Sequence, residues 1–94
     1  MSTTAARRAA TVVENARRVV AIELLGAVRA LQFRRHETPG ISLGNGTAEG
    51  LRRASAVLDG LGPCPIPSEE IEALNSWIRV GGHEDVVQGL ERIA

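Results

Sequence analysis

The chain has 94 residues, 44% of them hydrophobic but with one Trp, one Phe and no Tyr, and its formal net charge is zero. That length makes one domain at most, burying only about 60–65% of the surface its unfolded form exposes. The apolar content excludes a disordered tail, and Ala, Val, Leu and Ile must supply the packing, which suits helices meeting helices. The neutral total conceals an asymmetry. From Met1 to Arg35 seven Arg face only Glu14 and Glu23, a balance of +5, whereas from His36 onward four Arg face nine Asp and Glu, a balance of −5. The two halves can dock on each other, on another subunit or on separate partners. All eleven basic residues are Arg, which reads more simply as genome composition than as a demand for planar pairing with carboxylates.

Cys64 has no partner in the chain, so the sequence reads as one for a reducing compartment, with Cys64 a small filler between Pro63 and Pro65. No secretory leader is recognisable, because the residues after Arg7 and Arg8 are interrupted by Glu14, Asn15, Arg17 and Arg18. No stretch reaches the roughly 18 uncharged apolar residues needed to cross a bilayer. The expectation is a soluble, cytoplasmic chain.

Residues 3–35 contain no Pro and a single Gly, Gly26, and their apolar and charged positions recur at intervals of three and four. The spacing predicts one long helix. Ser2, Thr3 or Thr4 can cap its start, and Arg34, Arg35 and His36 suit the negative end of its dipole. A helix of about 32 residues is near 48 Å long at about 1.5 Å per residue, longer than any domain that a chain of this size can build around it. Set out at 100° per residue, Glu14, Gln32, Arg7, Arg18 and Arg29 form a polar stripe, with Glu14 to Arg18 a favourable pair one turn apart. Opposite lies a broad apolar band of Val12, Val13, Ala16, Val19, Val20, Leu24, Ala27 and Leu31. Glu23 falls near the middle of that band. A buried lone carboxylate costs several kcal/mol, so Glu23 is expected to be structural, paired with an Arg of another helix or subunit; a ligand-binding or catalytic role is the alternative.

A breaker region follows over residues 36–47, with Pro39, Gly40, Gly44 and Gly46. Gly44-Asn45-Gly46 is a poor phosphate loop, since no strand precedes it and no Lys-Ser or Lys-Thr follows, and Thr47 reads instead as an N-cap. Short helices are predicted over about 48–58, with Leu51, Ala54, Val57 and Leu58 on one face, over about 68–80, with Ser68 as cap and Ile71, Leu74 and Ile78 buried beside Trp77, and over about 83–93, with Val86, Val87, Leu90 and Ile93 apolar. The stiff run Pro63-Cys64-Pro65-Ile66-Pro67 joins the first two. The fold class is all-α, a single helical segment over 1–94 made of one long N-terminal helix and two or three short ones.

The residues offer no catalytic constellation. His36 and His83 lie far apart with no ligand at metal spacing, so no metal site is expected. His83 reads as a cap or surface residue. Glu69, Glu70 and Glu72 read as acids at a helix start rather than as paired general acids. No catalytic, cofactor-binding or metal residue is assigned.

Met1-Ser2-Thr3-Thr4-Ala5-Ala6-Arg7-Arg8, Val13-Glu14-Asn15 and Arg18-Val19-Val20-Ala21-Ile22-Glu23-Leu24-Leu25, together with Gly44-x-Gly46-Thr47 and the region from Ile71-Glu72-Ala73-Leu74 to Arg79-x-Gly81, resemble the C-terminal part of the histidine ammonia-lyases and their aromatic amino acid lyase relatives. The resemblance covers nearly the whole chain, and the first motif is the specific one. It implies that a helix like residues 3–35 joins a long bundle at the centre of a homotetramer. It also implies deamination of histidine through a methylidene-imidazolone electrophile formed from Ala-Ser-Gly. No Ala-Ser-Gly occurs here; the nearest run is Ala54-Ser55-Ala56, and the family's tyrosines have no counterpart. The family's catalytic Gln-Glu-Asp-His run would end just before Ser2. The sequence is therefore expected to be a C-terminal fragment, inactive alone, with a structural or assembly role and no cofactor of its own. Its expected partners are further copies of itself or an upstream lyase fragment. An independent helical oligomerisation or interaction module is the alternative. Nucleic-acid binding is disfavoured by the apolar residues interleaved with the Arg and by a pI near 6.7.

Overall fold

Two sequence signals bound the first helix. In the computed structural model, which describes the backbone of residues 2–93 and the side chains of residues 2–88, Ser2 is extended and its Oγ accepts a hydrogen bond from the Ala5 N–H at 3.1 Å. From this cap α1 runs Thr3–Glu37. It stops at Thr38, which precedes Pro39 and is pushed out of the helical region to φ −130°, ψ 79°. The chain then reverses through Gly40, whose φ of +91° only Gly adopts without strain. Helices α2 (Asn45–Asp59), α3 (Pro67–Arg79) and α4 (Gly82–Ile93) follow. Among the described residues there is no strand, and the fold is all-α.

The element bounds lie within a few residues of those expected, but two caps differ. α2 begins at Asn45 with Gly44, not Thr47, in the N-cap position. Asn45 and Gly46 are tolerated there because first-turn N–H groups have no intrahelical partner to lose, and Gly is an acceptable N-cap. α3 begins at Pro67 with Ile66, not Ser68, as N-cap. Proline suits the first helical position, where its missing N–H costs nothing and its fixed φ is already helical. Ser68 is thereby carried inside the first turn.

The centre of the molecule is α3. Its Leu74 is fully buried, facing Ala21 and Val28 from α1 and Leu51, Ala54 and Leu58 from α2; Leu24, Leu25, Leu31, Ile71, Trp77 and Ile78 close around this cluster. α1 packs chiefly along α3, while α2 lies across α3 and α4. Gly81, at φ +87°, turns the chain between α3 and α4, and Gly82 is buried against the Trp77 ring.

Only part of α1 takes part in this packing. Every residue from Thr3 to Ala16 is exposed, and burial begins at Arg17. The N-terminal half of α1 is therefore an arm that the rest of the chain leaves bare. It stretches the molecule to 54 Å and raises the radius of gyration to 15.6 Å, against roughly 12 Å for a compact chain of this length.

Candidate functional site

The helix α1 presents two faces with different fates. The inner one is fixed to α3 by apolar contact at Ala21, Leu24, Leu25, Val28 and Leu31, flanked by ions. Arg18 and Arg29 stand eleven residues apart, three turns along one side of α1. Arg18 Nε reaches Glu72 Oε1 at 3.2 Å while its Nη2 lies 3.5 Å from Glu14. Arg29 pairs through Nη2 with Glu70 Oε2 and donates through Nη1 to Gln32 Oε1 at 2.9 Å. The Glu70 side chain is only 8% exposed, whereas Arg29 keeps half its surface in water. The C-terminal part of the stripe expected to face solvent thus borders α3, where Arg18 and Arg29 bind acids of that helix, while Arg7 stays exposed on the N-terminal half of α1. Glu70 and Glu72 are more than helix-start acids. The opposite charges of the two halves of the sequence were the signal for these pairs, but the spacing named no partners.

The outer face corrects the reading of Glu23. Its side chain is exposed, and among the described residues it has no ion-pair partner within the chain. Val12, Val13, Val19 and Val20, placed in the same band, are all at least half exposed, as is Ile22. A helical wheel gives the angles between side chains and not the sector a neighbour will occupy; α3 covers the sector of Ala21 and Val28, leaving Glu23 on the far side. There Val12, Val19, Gly26 and Phe33 recur every seven residues, alternating with Ala9, Ala16, Glu23 and Ala30. This is the pattern of a seam that packs against another helix.

Two open clefts of about 460 Å³ each flank the core. One lies between Arg35, the loop residues Ile41 and Leu43, and α2. Its second cation, Arg52, is engaged by Glu49 at 2.6 Å and 3.1 Å, and Arg53 binds the same carboxylate at 2.7 Å. Hydrogen bonds from Arg52 and then Arg53 hold the Glu49 carboxyl down to about 2. The other cleft is apolar, formed by Val20, Leu24, Trp77, Ile78 and Val86, with His83 as its one titratable lining residue. Neither places a nucleophile beside a base.

The remaining residues singled out in the sequence are scattered. His36 is exposed in the last turn of α1, His83 is exposed at the start of α4, and Cys64 is exposed in the connector before α3. Leu90 and Ile93 lie outside the described side chains. Ala54-Ser55-Ala56 sits inside α2 with Ala54 fully buried. One buried polar atom stands alone: Asn75 Oδ1 on α3 has no hydrogen-bond partner among the described residues. Among them, too, no three His, Cys, Asp or Glu converge as metal ligands would, and no helix is long and apolar enough to cross a membrane.

The family model for aromatic amino acid lyases matches residues 1–56, which hold α1 and most of α2. Over 78 residues the chain is 36% identical to histidine ammonia-lyase of Geobacillus kaustophilus (strain HTA426), covering 83% of this chain and 15% of that protein. It is 33% identical over 90 residues to that of Geobacillus thermodenitrificans (strain NG80-2), covering 95% of this chain and 17% of the relative. It is 43% identical over 72 residues to that of Gloeobacter violaceus (strain ATCC 29082 / PCC 7421), covering 77% and 13%. The chain therefore spans less than a fifth of the length of these curated relatives. No solved structure matches it significantly.

Proposed function

The chain belongs to the aromatic amino acid lyase family, and from that premise we propose that it is an assembly segment of a histidine ammonia-lyase, contributing helices to an oligomer and no elimination chemistry of its own. The observation that carries this reading is the bare outer face of α1, where Val12 and Val19 are 65% and 53% exposed. Isolated apolar residues on a surface are ordinary, but a continuous stripe along a protruding helix marks an interaction site. Elimination of ammonia needs an electrophile to activate the amine and a base to take a proton. The methylidene-imidazolone that the family resemblance implies does not fit these residues. Its cyclisation joins backbone atoms across Ala-Ser-Gly, whereas Ala54-Ser55-Ala56 has a third residue with a Cβ and is held in the interior of α2. The partners on this reading are further copies of the chain or the remainder of a lyase, in the cytoplasm.

The test has two arms. Sedimentation at micromolar concentration is expected to show self-association, and a stable monomer counts against the assembly reading. Ultraviolet absorbance of the conjugated product is expected to show no turnover of histidine by the chain alone. Turnover by the isolated 94 residues overturns the division of labour proposed here.

A further inference from the structure

The cleft at the C-terminal end of α1 joins two cations to an aliphatic floor, and from this we propose that it is a binding site for a small organic carboxylate with a non-aromatic apolar body. The proposal stands apart from the assembly reading above and gives the chain a ligand of its own. Arg35 lines the cleft from the last turn of α1, Ile41 and Leu43 from the loop, and Leu51, Arg52 and Ser55 from one face of α2. These walls belong to one continuous run, residues 35–55, so the cleft needs no other part of a longer protein to form. Its volume of about 460 Å³ falls within the roughly 300–1,000 Å³ of small-molecule sites, which set a few polar groups in a largely apolar lining.

Three features select this ligand. First, the lining holds two guanidinium groups and no carboxylate. Glu49, beside it, is shared: Arg52 binds it through Nε and Nη2 and Arg53 through Nε, so two cations stand against one anion. Arg35 adds a further positive charge, being exposed and, among the described residues, without an ion-pair partner. An anion is therefore favoured, and a planar carboxylate suits the guanidinium fork. Glu49 is a positioning residue, because its two bonds hold the Arg52 guanidinium in one orientation before a ligand arrives and so lower the ordering cost of binding. Second, the floor is aliphatic, with Leu51 buried and Ile41 and Leu43 half-buried. It offers no ring for stacking and rewards bulk rather than planarity, which sets the ligand apart from phosphate or acetate. Third, the half-buried Ser55 hydroxyl has no hydrogen-bond partner among the described residues and can donate to the carboxylate. The dipole of α1 favours any basic residue in its last turn, and Arg34 and His36 serve it equally. Of these three only Arg35 lines the cleft.

Titration of the isotope-labelled 94-residue chain with cyclohexanecarboxylate, followed by amide chemical shifts, tests the site. Both cations are exposed to solvent, so the expected dissociation constant is on the order of a millimolar, with shifts concentrated on residues 35–55. Raising salt from about 0.1 M to about 1 M is expected to weaken binding severalfold. Arg35→Gln is expected to weaken it about fivefold or more, while Arg34→Gln, which removes the same charge from the same turn but not from the cleft, leaves it within about a factor of two. Ser55→Leu fills the cleft and is expected to abolish binding with helix content and Trp77 emission unchanged. Equal affinity for acetate or for the neutral cyclohexanecarboxamide, equal losses in the Arg35→Gln and Arg34→Gln chains, or shifts that fall elsewhere overturn the proposal. None of these outcomes touches the assembly reading, which sedimentation tests separately.

Discussion

Replacing Glu70 by Gln isolates the contact on which the attachment of α1 to the rest of the molecule most depends. The substitution keeps the shape of the side chain and removes its charge. Glu70 is 6% exposed overall and its carboxylate binds Arg29 of α1. Breaking a wholly buried pair costs about 3–5 kcal/mol because the orphaned charge has no water. Arg29 is half exposed and can rehydrate, so the loss reduces to that of a charge-assisted hydrogen bond, about 1.5–3 kcal/mol. For a chain of this size each kcal/mol lowers the melting midpoint by about 4–8 °C. Urea unfolding followed by circular dichroism and by fluorescence measures it directly. Trp77 is the sole Trp, with no Tyr to compete, and it lies two turns from Glu70 on α3, so its emission reports the same helix. Glu23→Gln, at an exposed position, is the control and is expected to change the monomer by no more than about 0.5 kcal/mol. Molar salt is expected to weaken the Arg18–Glu72 contact, whose partners are about half exposed, more than the Arg29–Glu70 pair, since screening acts on solvated charges. A Glu70→Gln variant as stable as the parent, or less costly than Glu23→Gln, refutes this account of how α1 is held.

Leu74→Ala removes the side chain at the meeting point of three helices, fully buried, and is expected to cost about 2–5 kcal/mol by calorimetry or urea titration, enough to unfold much of the population. Gly82→Ala sets a Cβ against Nε1, Cε2 and Cδ1 of Trp77; the ring must swing toward the apolar cleft, at about 1–3 kcal/mol, and an unshifted Trp emission maximum in a fully stable variant contradicts the placement of Gly82. Glu49 is held down to about 2 from 4.5 by Arg52 and Arg53. A carboxyl depressed on folding stabilises the fold above its ordinary value and loses that contribution as pH falls through about 4.5 to 2. Glu49→Gln is therefore expected to lower stability modestly above about pH 4.5, the effect being screened because Arg52 is largely exposed. It is expected to flatten the acid limb of the stability curve in that window by the same amount, and to leave stability near pH 2 unchanged.

The sequence by itself determined whatever depends on one helix at a time. The unbroken period of three and four over residues 3–35, the Ser2 cap and the Pro39 stop are local causes, and they produce α1 whatever surrounds it. The same holds for the all-α class, for the apolar faces of α2 and α3, and for the likeness to the lyase family carried by residues 1–25. Tertiary structure decided which part of α1 is inside. Valine and leucine occur around most of that helix, so hydrophobicity marks two faces equally, and the wheel placed Glu23 among apolar residues without showing which sector α3 would take. α3 settles on the side where Arg18 and Arg29 meet Glu72 and Glu70. The ion pairs flank the face that α3 covers, and pairings between residues 41 and 54 positions apart leave no mark in local spacing. The face so left over, with Val12, Val19 and Glu23 in water, is a consequence of that choice of packing partner and of α1 being longer than the three short helices can cover.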